Sequence, residues 1–373
     1  MPDFRASRCT RFRYRYSECR RCADACPHDA ILLSDEGATL VGDKCQNCGL
    51  CISACHTHAW TSPAFEPIDL LRQAIKKTAW SLACEPSGCG GDAMVPCLGA
   101  VDAVWLAYLA KRGIAVSLRG TGHCDQCVHG KTGPAQLKLN LDGLDMLVAA
   151  ARQGKGDDSP QPVWLLPVVA QEAGRPGARE EDIGKNAQAA SRRHLFRRIF
   201  NPTGQPVASA EAGGPGKVPA KAIRAAPYAV SEQRELLQIV CRQKEERLFP
   251  VTLHESLPLM QLSLQSGCTL CEACFRVCPT GALQIVENPG DWALTFQTDR
   301  CVACEVCLEV CQPRVLDAAV SFDARPERAP ITLISRTKQR CSRCDRHFVS
   351  PTPEKTCSIC GDDEDAFSAI FGD

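Results

Sequence analysis

Residues 45–55 read CQNCGLCISAC, four cysteines spaced C-x2-C-x2-C-x3-C. CTLCEACFRVC at 268–278 and CVACEVCLEVC at 301–311 repeat that spacing. A fourth run, CRRCADAC at 19–26, keeps the last three positions, and Tyr16 stands where the first cysteine would fall. Thiols at i, i+3 and i+6 wrap one loop around a metal centre and leave its last corner to a cysteine from elsewhere. The four runs form two pairs, one near each end of the chain. Between paired runs lie AILLSDEGATLVGDK and ALQIVENPGDWALTFQTDR, each of which reads as two short strands about a turn.

The 26 cysteines among 373 residues have few aromatics beside them, 6% of the chain, so large apolar cores are not expected to supply all the stability. The N-terminus, MPDFRASRCTRFRYRYSECRR, lacks the apolar region of an export signal. No stretch approaches the roughly 18 apolar residues of a membrane span. Tight C-x2-C grouping favours metal ligation over disulfides. These observations give the expectation of a soluble, cytoplasmic, metal-rich protein. The formal net charge is zero, and four thiolate quartets around cores of charge +2 would add about 8 negative charges. Without a basic excess, nucleic acid is not an expected partner.

Residues 66–150 have a different texture. EPIDLLRQAIKKTAW places Ile68, Leu71, Ile75 and the Ala79/Trp80 pair at helical spacing. SLAC then reads as a strand, LGAVDAVWLAYLAKRG as a helix ended by Gly113, and IAVSL as a strand. QPVWLLPVV reads as a further strand. The cysteines of this region, Cys84, Cys89, Cys97, Cys124 and Cys127, mostly follow strands, where open α/β sheets place ligands. Residues 171–235, rich in Gly, Ala, Pro and charge, read as a partly disordered linker. Within it SRRHLFRRIF mimics a twin-arginine signal, but it is internal and Asn201-Pro202 follows, so it reads as a basic amphipathic segment.

The runs at 45–55, 268–278 and 301–311 resemble bacterial-type [4Fe–4S] ferredoxin motifs, in which the last cysteine of one run ligates the neighbouring cluster. The resemblance implies four clusters: Cys268, Cys271, Cys274 and Cys311; Cys301, Cys304, Cys307 and Cys278; Cys45, Cys48, Cys51 and Cys26; and Cys19, Cys22 and Cys55 with one ligand more. Cys9 is the other cysteine upstream, and a looped TRFRYRYSE would return it to that corner. A three-iron cluster or a water ligand is the alternative. Proline follows Cys26 and Cys278 but not Cys55 or Cys311. The seven arginines of the first 21 residues would favour the reduced state of the nearest cluster or dock an acidic partner.

VPCLGAVDAVWLAYLAKRGIAVSLRGTGHCDQC resembles the delta subunit of methyl-viologen-reducing hydrogenases, which implies a [2Fe–2S] cluster on the middle cysteines. Zinc and a redox-active thiol pair are the alternatives. His56, His58 and His123 read as loop residues rather than ligands. Cys341, Cys344, Cys357 and Cys360 match a zinc ribbon, or a rubredoxin-like single-iron site of the same geometry. Cys241 stands apart and reads as a buried, inert thiol.

The expected fold class is α+β multidomain. Ferredoxin-like bis-cluster modules at 1–65 and 236–335 flank a small α/β domain at 66–170 and the linker at 171–235, and a zinc-ribbon-like tail occupies 336–373. The expected function is electron relay between a donor and a larger oxidoreductase complex of hydrogenase, formate dehydrogenase or heterodisulfide-reductase type. The alternatives are a redox enzyme subunit with catalytic middle cysteines, and a regulatory or assembly protein.

Overall fold

The computed structural model describes residues 1–63, 65–153, 164–170, 223–224, 230–243 and 247–361. Its architecture is α+β, with the dicluster-type runs in two separate regions and a cysteine cluster near the C-terminus. The basic segment SRRHLFRRIF and most of the expected linker lie outside the described residues.

In the first region, β1 (Asp3–Phe4), α1 (Thr10–Arg13) and α2 (Arg21–Asp24) precede a hairpin of β2 (Ile31–Ser34) and β3 (Gly37–Leu40). Helix α3 (Leu50–Ser53) and strand β4 (Trp60–Thr61) follow, β4 pairing antiparallel with β1. Both helices on the cysteine runs span four residues. Three cysteines facing one centre leave no room for a longer regular helix.

The middle region is a parallel sheet. Helix α4 (Pro67–Ala74) leads into β5 (Ala79–Cys84), which is followed by β6 (Ala93–Val95), α5 (Ala103–Lys111), β7 (Ala115–Arg119), α6 (Gly133–Gln153) and β8 (Val168–Ala170). The strand order is β6-β5-β7-β8. The helix expected to reach Trp80 ends earlier. Ala79 and Trp80 open β5, where Trp80 is buried, because the chain turns at Lys76–Lys77 and the apolar spacing changes from helical to alternating. Asp102 caps α5 by accepting from the Val104 and Trp105 amides at 2.9 and 3.1 Å. The helix is apolar on nearly every side, so it lies inside the fold, with neighbours on several sides.

One of those neighbours is α7 (Glu232–Cys241), which begins inside the segment expected to be linker. Lys111 Nζ donates to the carbonyls of Ile239, Val240 and Arg242 at 2.7–2.8 Å, satisfying the end of α7 with a cation. Buried Arg234 of the same helix donates to the Thr298 and Cys301 carbonyls, both at 2.8 Å. Helix α7 therefore straps the middle region to the second cysteine-run region.

That second region pairs β9 (Pro250–Thr252) with β14 (Ser321–Asp323) and β10 (Leu262–Leu264) with β13 (Leu316–Ala318). Its cysteine runs carry α8 (Ala273–Val277) and α9 (Val306–Glu309). Its hairpin, β11 (Leu283–Asn288) with β12 (Asp291–Phe296), is extended by β15 (Ile331–Arg340) and β16 (His347–Ser350) into a sheet ordered β11-β12-β15-β16. The expected division at 335/336 falls within β15, so the tail grows out of this sheet.

No helix among the described residues is long and apolar enough to cross a membrane.

Candidate metal centres

The looped segment at the N-terminus delivers Cys9 to the cavity where a fourth thiol was missing. Cys9, Cys19, Cys22 and Cys55 line it together, with Phe4, Trp60 and Cys304. Cys9 is the residue before α1. Burial pushes its thiol up to about 11, with Cys55 and Cys19 adding to the shift against backbone N–H groups of Phe12 and Arg11. Tyr16, at the vacated position, is exposed and meets Tyr14 edge-on.

Cysteines of the other runs also lie near one another. Cys268, Cys271, Cys274 and Cys311 line one cavity beside Trp292 and Leu294. Burial pushes Cys301 up to about 12 and Cys307 well above its ordinary value, with Cys278 among the neighbours that raise both; Cys304 also raises Cys307. Burial likewise raises Cys48 to about 11, with Cys26 and Cys45 contributing. Cys51 is also raised well above its ordinary value, by burial first and then by Cys48, Cys22, Cys45 and Cys55.

The middle cysteines gather at the C-terminal ends of the parallel strands. Cys84 closes β5, Cys97 follows β6, and Cys124 and Cys127 follow β7. Burial and the Cys127 and Cys124 thiols push Cys84 up to about 12. Cys97 rises to about 12 through burial, then Cys84, Cys48 and Cys127. Cys89 is buried on the adjoining loop, its amide donating to Ser87 Oγ at 3.2 Å. Gly120 permits the close approach of the two loops. At φ +98° it holds a left-handed conformation, and a Cβ there would lie 2.2 Å from Ser87 Oγ.

These shifts share a physical meaning. A buried set of mutually repelling thiols ionises only when a cation compensates, and that is the donor chemistry of a metal or iron–sulfur centre. Spread distinguishes the types. Among the described residues two groups have three or more ligand atoms all within 4.8 Å of one another, and one is Cys341, Cys344, Cys357 and Cys360. Tetrahedral ligation at about 2.3 Å places neighbouring sulfurs about 3.8 Å apart; Cys344 and Cys357 stand 3.9 Å apart. The Cys357 amide, first among several backbone donors, brings the Cys341 thiol down to about 6. This quartet suits a single ion, whereas the more open quartets suit polynuclear centres.

The second tight group is His28, Cys48 and His129, with His28 Nε2 and His129 Nδ1 3.0 Å apart. It was not anticipated from the sequence. Its trace there is a repeated offset, each histidine two places after an expected ligand, Cys26 or Cys127. His56 is more than a loop residue: it is buried, and its Nδ1 lies 3.2 Å from the Ala303 carbonyl. Burial and nearby Arg21 bring its pKa down to about 3, so the ring is neutral.

The arginine-rich segment also differs from expectation, because much of it turns inward. Arg13 Nε and Nη2 donate to the carbonyls of Val277 and Cys278 at 2.9 and 3.1 Å. Arg21 meets the Glu255 carbonyl and the Glu305 carboxylate, and Arg11 the Cys19 carbonyl. Arg15 and Arg20 pair with Asp35 and Asp24. Arg13 is buried by these contacts, whereas Arg5 and Arg20 stay exposed.

The 4Fe-4S dicluster domain family matches this chain twice, at residues 16–59 and 267–315. Both segments are therefore similar to iron–sulfur dicluster domains. The first match begins after Cys9, and neither reaches the middle cysteines or the C-terminal quartet. No curated protein matches the chain.

Proposed function

We propose that this chain is a soluble, cytoplasmic electron-transfer protein that serves a larger oxidoreductase complex of hydrogenase, formate dehydrogenase or heterodisulfide-reductase type. The observation that carries the reading is that the dicluster-type cysteines of each region gather into neighbouring groups, most of them at least half-buried, and that two of these groups line cavities as quartets. Stapling a small fold would not require quartets arranged in adjoining pairs.

In this reading Cys9, Cys19, Cys22 and Cys55 hold one [4Fe–4S] cluster, and Cys26, Cys45, Cys48 and Cys51 its neighbour. Cys278, Cys301, Cys304 and Cys307 hold a third, and Cys268, Cys271, Cys274 and Cys311 a fourth. Cys84, Cys97, Cys124 and Cys127 hold a [2Fe–2S] cluster, and the C-terminal quartet a structural zinc. When bound, a [4Fe–4S] cluster supplies a site that takes one electron spread over iron and sulfide. The chain sets the surroundings. It places the Cys48, Cys51, Cys301 and Cys307 sulfurs in apolar clusters and brings arginine charge beside the Cys278 and Cys19 carbonyls.

The test is anaerobic iron, sulfide and zinc analysis of the full chain, with EPR before and after dithionite reduction. About 18 irons, one zinc and reducible [4Fe–4S] signals are expected. Protein that stays colourless after reconstitution with ferrous iron and sulfide overturns the reading.

A further inference from the structure

The two dicluster-type regions are about 200 residues apart in sequence and need not touch. They do touch, at thiol sites. Cys304, from the second region, lines the same cavity as Cys9, Cys19, Cys22 and Cys55 of the first. The contact is fastened around that cavity. Arg13 reaches the Val277 and Cys278 carbonyls, Arg21 pairs with Glu305 at 3.0 Å, and His56 meets the Ala303 carbonyl. The Glu18 amide donates to Glu309 at 3.2 Å. All five of these contacts reach a cysteine of the second region or a residue within two positions of one. Cys19 is also among the neighbours that raise the half-buried Cys304 thiol.

A second contact joins the first region to the middle sheet. Cys48 and Cys97 share one apolar cluster with Ala25 and Leu50. Ser53 Oγ donates to the Gly99 carbonyl at 3.0 Å, and Thr132 Oγ1 to the Ala25 carbonyl at 2.8 Å. The His28–His129 pair spans the same seam, within 4.8 Å of Cys48 Sγ. Space there is fully used: a Cβ on Gly133 would lie 2.9 Å from Cys97 Sγ.

Within each region the paired sites also adjoin. Helix α2, which carries Cys22, packs against α3, which carries Cys51, and α8, with Cys274, packs against α9, with Cys307.

We infer that the five thiol sites form one continuous row, in the order Cys97 site, Cys48 site, Cys22 site, Cys304 site, Cys274 site, so that the dicluster modules make a single array. This rests on the reading of the quartets as cluster sites. The decisive link is the one between modules, at Cys304 and the Cys9–Cys55 cavity. The row ends at exposed Cys271.

The test isolates that link. In the full chain, Cys45→Ser with Cys48→Ser and Cys268→Ser with Cys271→Ser empty the sites on either side of it. The variant is reconstituted anaerobically with ferrous iron and sulfide, reduced with dithionite and examined by EPR. Of the three remaining centres, those of the Cys22 and Cys304 sites are expected to broaden each other, with a half-field signal that is lost on adding Cys304→Ser. Narrow, independent signals from the fully reduced Cys22 and Cys304 centres overturn the row. Should the variant fail to hold iron, Cys304→Ser alone decides: it must change the line width or relaxation of the signal that Cys22→Ser removes, and an unchanged signal overturns the proposal. Wild-type protein without reducible centres defeats the cluster reading instead, so the two failures are distinguishable.

Discussion

The two dicluster modules share a cysteine spacing but complete it differently. The second has all eight cysteines within its two runs, a hairpin of six residue pairs extended by β15 and β16, and an outer quartet that ends at exposed Cys271. The first has seven cysteines in its runs, a hairpin of four pairs, and neighbours on both sides. Its eighth cysteine, Cys9, comes from the detour that carries α1. Four residues later the same detour delivers Arg13 to the backbone of the second module. The missing cysteine at 16 and the contact between modules are thus aspects of one structural solution. A strict ferredoxin spacing would have closed the cluster loop and removed the segment that reaches across.

Breaking that contact should have the largest effect. Arg13→Ala removes two charge-assisted hydrogen bonds and leaves the Val277 and Cys278 carbonyls buried without them, costing about 3 kcal/mol. Anaerobic urea unfolding of the loaded protein should show the loss, and Arg276→Ala, on the exposed face of the second module, should be nearly silent. Next comes Gly99→Ala at the other seam. Its Cβ would lie 2.6 Å from the Gly133 carbonyl and 2.8 Å from Leu50 Cδ2, and overpacking of this kind costs about 2 kcal/mol. Faster hydrogen exchange in α3 and at the start of α6 is the expected readout.

Cys9→Ser sharpens the comparison without separating the modules. The iron count should fall by up to about four, or one centre should convert to a three-iron form visible in the oxidised EPR spectrum. The centres of the 267–315 module should keep their signals. An unchanged spectrum would return the fourth corner to another ligand. The smallest effect belongs to Cys241, which burial holds at about 12, above its ordinary 9.0. The folded thiol stays protonated, so iodoacetamide at pH 8 should leave it unmodified until the protein is unfolded. The unfolded thiol ionises first, so this residue costs stability as pH rises through about 9.

The hairpins between the cysteine runs were legible because their pattern is local. Strands β5 and β7 of the middle region also followed from pattern, as did the position of most of its cysteines after strands, whereas β6 was not read and β8 covers only the end of the expected last strand. Sequence reading misplaced Ala79 and Trp80 because an apolar pair at the end of a helical stretch fits either period. It missed α7, since a segment of low complexity masks a helix whose stability comes from Lys111, Gln233 and Arg234 contacts elsewhere. The inward arginines were illegible for a simpler reason. An arginine that caps carbonyls 264 residues away leaves no local trace, and the arginine-rich stretch looks the same whether it faces solvent or protein.

That long reach bears on how the molecule is made. During synthesis the Arg13 guanidinium leaves the ribosome well before its carbonyl partners exist, and it stays hydrated until residues 277 and 278 emerge. The amino-terminal half must therefore wait in an unfinished form, with one wall of the Cys9 cavity still to be supplied by Cys304. If that cavity holds the proposed cluster, its iron and sulfide are best delivered after the run at 301–311 has been translated.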